Sequence, residues 1–175
     1  MRKSLFLFLA LTVLLSSPHP GAWALICEVD APPVLSITDE VGPFKLTFND
    51  FAKDTLSTTQ IVNYRIEANT MADGTVPNAV SAKLENLFSN ADFKGDVQSY
   101  TNLGDADFAD LVEAQSGFVT LKTSDTRLAD KSGGKGHGKH CLDGKLAILW
   151  RAKLTQDAPA GTQTSLLIVT LRDGL

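Results

Sequence analysis

Four side chains near the carboxyl end of the chain have the chemistry of a metal site: His137, His140, Cys141 and Asp143. Imidazole, thiolate and carboxylate groups all bind zinc or copper. These residues lie in or just after a glycine-rich stretch, residues 132–140. A metal site needs ligands on a rigid frame, with outer groups that orient them, and a glycine tract supplies neither. The sequence therefore predicts a solvated hairpin loop here, with His137 and His140 as weak metal candidates and no cofactor.

A second cluster contains closely spaced carboxylates: Asp105, Asp107, Asp110 and Glu113. Calcium binds oxygen ligands of this kind, but the spacing lacks the regular ligand pattern and the glycine of an EF-hand. Carboxylates at the start of a helix cap backbone N–H groups and interact favourably with the helix dipole. The cluster therefore favours one short helix that begins at Asp105 and turns Phe108, Leu111 and Val112 to one side.

Signals of catalysis are missing from the sequence. It contains no G-x-S-x-G motif, no P-loop and no dinucleotide-binding fingerprint. The two histidines after residue 24 lie in the glycine stretch, where no buried partner can orient an imidazole for a Ser-His-Asp site. With 20 acidic residues, any choice of a glycosidase carboxylate pair would be arbitrary. We therefore predict no enzyme and no catalytic residue, and a small hydrolase is a hypothesis without a located site.

Three aromatic side chains, Tyr64, Tyr100 and Trp150, could stack on a sugar ring. Trp150, however, alternates with Ile148 and Ala152 on an apolar face, which is typical of a core residue. A carbohydrate-binding module is thus an alternative, and a core role for Trp150 is the prediction.

The amino-terminal segment has the pattern of a cleaved signal peptide. Arg2 and Lys3 precede an apolar run over residues 5–15, and Ala22-Trp23-Ala24 satisfies the small-x-small cleavage rule. We expect a signal peptide at residues 1–24, one domain at residues 25–175, and a secreted, periplasmic or cell-surface location. No apolar run reaches the roughly 20 residues of a membrane-spanning helix. A lipid anchor at Cys27 is an alternative, but Ile26 stands where that processing requires a small residue.

The net charge and the two cysteines bear on the partners and the covalent structure of the protein. The net charge is −4, and removal of Arg2 and Lys3 with the signal peptide leaves −6, which argues against a nucleic-acid partner. Exported chains meet an oxidising compartment, so the two cysteines, Cys27 and Cys141, predict a disulfide. The alternative is a pair of buried free thiols.

Most of the remaining chain alternates apolar and polar residues with a period of two. Residues 58–68 and 146–154 show this pattern most clearly, and turn signals recur about every ten residues. The pattern predicts an all-β protein, an immunoglobulin-like antiparallel β-sandwich with one short helix.

The last apolar run, TSLLIVTL at residues 164–171, has two apolar faces. Leu167, Val169 and Leu171 form one face, and Leu166 and Ile168 make much of the other face apolar as well. We expect this strand to be covered on both sides and to act as an assembly strand.

The end of the chain resembles a known family. Asp157-Ala158-Pro159-Ala160-Gly161-Thr162, followed by a strand ending Val169-Thr170-Leu171, is similar to the "aGtY…vtvtl" ending of secreted bacterial spore coat protein U and fimbrial-subunit domains. Gln163 stands where those domains usually have an aromatic residue, and Cys27 leaves no long amino-terminal arm to donate. The resemblance implies an immunoglobulin-like sandwich that assembles at the cell surface through strand exchange, commonly with a periplasmic chaperone.

Two functional hypotheses follow. The first is an exported structural or interaction protein, a fimbrial-like, surface or matrix subunit whose partners are itself or sibling subunits. The alternative is an extracytoplasmic binding module for a carbohydrate or a metal.

Overall fold

The computed structural model describes Cys27, residues 34–69 and residues 79–172, with the side chain of His137 left out. This part of the chain contains one 3-10 turn, Gly136–His140, and nine strands: β1 (Leu35–Asp39), β2 (Gln60–Ala68), β3 (Ala79–Leu84), β4 (Ala91–Asn102), β5 (Asp110–Glu113), β6 (Val119–Thr120), β7 (Thr126–Ser132), β8 (Leu142–Leu154) and β9 (Leu167–Arg172). The predicted signal peptide, residues 1–24, lies outside the described residues.

The strands form two antiparallel sheets. The first sheet has the order β1-β2-β8-β4-β6, and the second has the order β5-β7-β3-β9. A common core of apolar side chains lies between them. The predicted all-β sandwich is therefore confirmed. In the described ranges, no membrane-spanning helix is found.

Strand β8 is the centre of the first sheet, because it pairs with β2 on one side and β4 on the other. Its alternation places Leu146, Ile148 and Trp150 in the core, each with no measurable exposure. Val62 of β2 and Val97 of β4 both lie opposite Ile148. The period-two pattern in the sequence therefore corresponds to a strand that buries one face over its whole length.

The predicted helix at Asp105 is wrong. A tight turn, in which the Phe108 N–H donates to Asp105 O at 3.0 Å, leads directly into β5. Leu111 is 4% exposed and Val112 is 47% exposed, so the two side chains lie on opposite faces of a strand. A helix would have placed both on one side.

The glycine stretch is also not a hairpin loop. It leaves β7 in the second sheet and enters β8 in the first, so it crosses from one layer to the other. The 3-10 turn lies inside this crossing, and Gly138 packs so closely on Asp107 that an added Cβ would lie 2.4 Å from its carbonyl oxygen. Glycine is needed at this position because the two backbone segments touch.

Candidate functional site

Cys27 and Cys141 are joined by a disulfide that links residues 114 positions apart, with a Cα–Cα distance of 6.0 Å. The predicted disulfide is confirmed, and the alternative of free thiols is wrong. Cys141 is completely buried where the chain enters β8. Because its sulfur is bonded, Cys141 cannot act as a thiolate ligand for a metal.

Asp143 belongs to an ion-pair cluster on the outer face of the first sheet. It is 8% exposed, and its carboxylate lies 2.5 Å from the guanidinium of Arg65. Arg65 also donates to Glu67 Oε1 at 3.0 Å and to Gly144 O at 3.1 Å. Glu67 lies directly opposite Asp143 in the sheet, and like charges in that position repel. Arg65 thus stabilises two facing carboxylates, a role that sequence analysis missed because it depends on the strand register.

Of the four residues predicted as metal-ligand candidates, Cys141 and Asp143 are engaged by other partners, and the side chain of His137 lies outside the described part of the structure. His140 is half-buried at the end of the 3-10 turn, and Asp143 is engaged by Arg65. Among the side chains that the structure describes, which do not include His137, no group of three or more His, Cys, Asp or Glu residues is arranged to hold a metal ion.

The acidic cluster is divided between a turn and a strand. Asp105 and Asp107 line a depression of about 510 Å³ beside Cys27, together with Lys135. The Lys135 N–H donates to Asp107 O at 2.8 Å, which ties this turn to the crossing segment. Asp110 and Glu113 lie on β5 and are exposed there. Asp105 and Asp107 therefore belong to a turn, and not to the start of a helix.

Trp150 has no exposed surface and stacks on Phe93, with 5.5 Å between ring centroids. Tyr64 is 4% exposed and belongs to the same core. The core role predicted for Trp150 is confirmed, and a sugar ring cannot stack on either side chain in this fold. Tyr100 lies on β4 beside β8 and is half-buried. Its ring packs closely on Gly144, where an added Cβ would lie 2.4 Å from the ring.

Burial also changes the acidity of both tyrosines. It raises the pKa of Tyr64 from 10.0 to about 12, and it raises the pKa of Tyr100 well above 10.0, with the nearby Asp143 carboxylate adding to the effect. In each case the phenolate is disfavoured because it would lose its hydration.

We expect this burial to make the protein sensitive to alkali. A folded-state pKa above the unfolded value gives stability that is complete below pH 10 and is lost as pH rises towards 12. For Tyr64 the loss amounts to about 3 kcal/mol, since one pKa unit is about 1.4 kcal/mol. Phenolate absorbance should therefore appear together with unfolding, and Tyr64→Phe should weaken the pH dependence. Gradual ionisation of both tyrosines in a folded protein would contradict this expectation.

The predicted assembly strand lies at an edge of the second sheet. In the described part of the chain, β9 pairs only with β3. Leu171 is 5% exposed, Leu167, Ile168 and Val169 are half-buried, and Leu166 is 57% exposed. The expectation that both faces are covered is therefore wrong, because the outer face is partly open to solvent.

The outer face beside β9 carries an apolar patch of Leu166 and Ile168. Ile168 lies opposite Lys83, and the ladder continues past the strand end, where the Glu85 N–H donates to Leu166 O at 2.9 Å. This patch borders the open edge of the sheet.

The four edges of the two sheets differ in how they are protected. β6 has two residues; β5 has four, bounded by Asp110 and Glu113; β1 has five and ends at Asp39. Short edges and charged residues discourage pairing with another strand. By contrast, residues 162–171 have no charge and no proline, and the β3–β9 register contains no bulge. In the described part of the molecule, β9 is therefore the edge best suited to accept a further strand.

Comparison with known proteins gives no relative for this chain: no family model, no curated protein and no solved structure matches it.

Proposed function

We propose that this protein is an exported structural or interaction subunit that associates with itself or with sibling subunits through an edge of its β-sandwich. The observation that carries the proposal is the open edge at β9, which has no charged residue before Arg172 and borders exposed Leu166. Unpaired N–H and C=O groups on such an edge are a template for another strand.

Two further observations support an extracytoplasmic assembly role. The disulfide between Cys27 and Cys141 is of the kind that persists in oxidising compartments. The basic and then apolar start of the chain has the pattern of an export signal. A periplasmic chaperone that covers the β9 edge before assembly is part of this proposal, since an exposed edge invites aggregation during export.

The first test is the size distribution of the protein, isolated without reduction from its native compartment. Gel filtration over a range of concentrations and negative-stain microscopy should show dimers or larger assemblies. A single monomeric species at every concentration would refute association as the main role.

Replacing Leu166 and Ile168 together by threonine should abolish association and leave the fold intact. Leu166 is exposed and Ile168 is half-buried, so we expect a loss of about 1 kcal/mol in stability. The matched control replaces Ile61 and Leu103 by threonine, because both are 52% exposed and lie away from β9. Association that persists in the first variant, or is lost equally in the control, would show that the β9 edge is not the contact.

A further inference from the structure

The hydrogen bonds of β3 fix which backbone groups of β9 point outward. Glu85 lies opposite Leu166 and donates its N–H to Leu166 O, so Leu166 belongs to a hydrogen-bonded pair. Such pairs alternate along an antiparallel ladder, so Ile168 and Thr170 also direct their N–H and C=O groups to β3. The Leu84 N–H confirms the alternation, because it turns away from β9 and donates to Lys122 O at 2.9 Å.

It follows that the intervening residues of β9 direct their backbone groups to the open edge. These residues are Leu167, Val169 and Leu171, and Ser165 just before the strand continues the pattern. Each offers one donor and one acceptor in the plane of the sheet, while the side chains of Leu167, Val169 and Leu171 point into the core. Among the described residues, these backbone groups have no hydrogen-bond partner, although β1 of the other sheet lies near β9.

We infer that β9 pairs antiparallel with β9 of a second copy, about a two-fold axis at Ile168, and that the resulting dimer joins two four-stranded sheets into one of eight strands. This inference rests on the proposed function, because it identifies the partner strand and the register of the same edge.

The register follows from the outward groups. With the axis at Ile168, Leu167 of one copy lies opposite Val169 of the other, and Ser165 lies opposite Leu171. All four outward residues are then hydrogen-bonded, and Ile168 faces its own copy in a non-hydrogen-bonded pair. An axis at Val169 or at Leu167 would pair only three of the four outward residues with one another. The axis at Ile168 therefore satisfies the most backbone groups within the described strand and its extension.

Charge selects the antiparallel direction. Arg172 ends β9 in a cluster with Asp125, and Asp125 also contacts Lys83 Nζ at 3.6 Å. Parallel pairing would place the two Arg172 residues next to each other, with the two copies of Lys83 close by. Antiparallel pairing places Arg172 opposite the uncharged Thr164. Because like charges directly opposite each other destabilise a sheet, the antiparallel arrangement is favoured.

The same arrangement buries the exposed apolar residues. Leu166 of one copy lies opposite Thr170 of the other, and the two Ile168 side chains meet on the axis. The patch beside β9 then continues across the seam, which covers part of the Leu166 surface that is exposed in the single chain. A two-fold contact uses the same surface on both copies and closes on itself, so this edge yields a dimer and not an open filament.

Cysteine cross-linking tests the register. Paired residues at a non-hydrogen-bonded site have Cα atoms about 4.5 Å apart, within the range of a disulfide. Ile168→Cys should therefore form a covalent dimer under mild oxidation. Leu166→Cys alone should not, because the two copies of residue 166 are about 13 Å apart along the strand. A mixture of Leu166→Cys and Thr170→Cys proteins should cross-link.

Charge substitution tests the interface without new thiols. Ile168→Lys places two ammonium groups on the axis and should abolish the dimer, as should Ile168→Asp, while a mixture of the two variants should restore it. Val112→Lys, an exposed position on β5 at the opposite edge of the same sheet, is the matched control and should leave the dimer intact. Thermal unfolding of each variant verifies that it is folded. If a charged variant is unfolded, the cross-linking of the cysteine variants is the test of the β9 pairing.

The outcomes separate this inference from the proposed function. If the native protein does not associate at all, both are overturned. If it associates but Ile168→Cys does not cross-link and Ile168→Lys still assembles, the proposed function stands and the β9 pairing is wrong. Efficient cross-linking of the Leu166→Cys protein by itself would overturn the two-fold axis at Ile168.

Discussion

Replacing Cys27 and Cys141 together by alanine should lower the free energy of unfolding by about 2–5 kcal/mol. The bond joins residues 114 positions apart. In the chain-entropy model, closing so long a loop raises the free energy of the unfolded chain by about 5 kcal/mol. A single domain is stabilised by only about 5–15 kcal/mol in total, so the loss would be a large share. Urea unfolding of the oxidised protein and of the variant measures the difference.

Reduced wild-type protein is the control for this prediction. It should unfold at nearly the same urea concentration as the alanine variant, because alanine removes only the two sulfur atoms and introduces no polar group. A loss below about 1 kcal/mol would contradict a stabilising role for the bond between Cys27 and the entry to β8.

Strands β2 and β8 could be predicted from sequence because each buries one complete face. Val62, Tyr64 and Ile66 are buried, and the residues between them are more exposed. The same holds for Leu146 to Leu154 in β8, where the polar side points away from the second sheet. Alternation of this length depends only on local sequence, so no knowledge of the partner strands was needed.

Strand β7 was not predicted, for a physical reason. Its register against β3 shifts between Val80 and Ser81, and at this bulge Leu128 and Ala129 are both buried although they are adjacent. A bulge breaks the period of two, which removes the signal that identifies a strand. The helix predicted at Asp105 failed similarly, since three apolar residues spaced by three and one also fit a turn followed by a strand.

Only part of the candidate site at β9 could be predicted from the sequence. Its residues 166–171 were identified by their two apolar faces, but the pattern predicted a strand covered on both sides. Whether such a strand is central or at an edge depends on the order of strands in the sheet, and here that order is set by pairing with β3, which is distant in the chain. Similarly, the pairing of Arg65 with Asp143 depends on the register of β2 against β8, and no local pattern encodes it.

Gly95→Ala should destabilise the protein by about 1–3 kcal/mol, although it adds only one methyl group. Gly95 lies opposite Trp150 in the sheet, and a Cβ there would lie 2.4, 2.9 and 3.0 Å from three atoms of the indole ring. The ring cannot move away easily, because it is fully buried and stacked on Phe93. Gly161→Ala is the matched control: no atom lies within 4 Å of the added Cβ, so stability should hardly change.

A double-mutant cycle isolates the contact between Gly95 and Trp150. Trp150→Ala alone should lower stability by about 3–5 kcal/mol, because it leaves a large cavity in the core. In the Trp150→Ala background, Gly95→Ala should no longer destabilise, since its methyl group then enters space that the indole has left. The expected coupling is about 1–3 kcal/mol, measured by chemical unfolding of the four proteins. If the two losses were simply additive, glycine at position 95 would be required for the strand backbone itself, and not for its fit under Trp150.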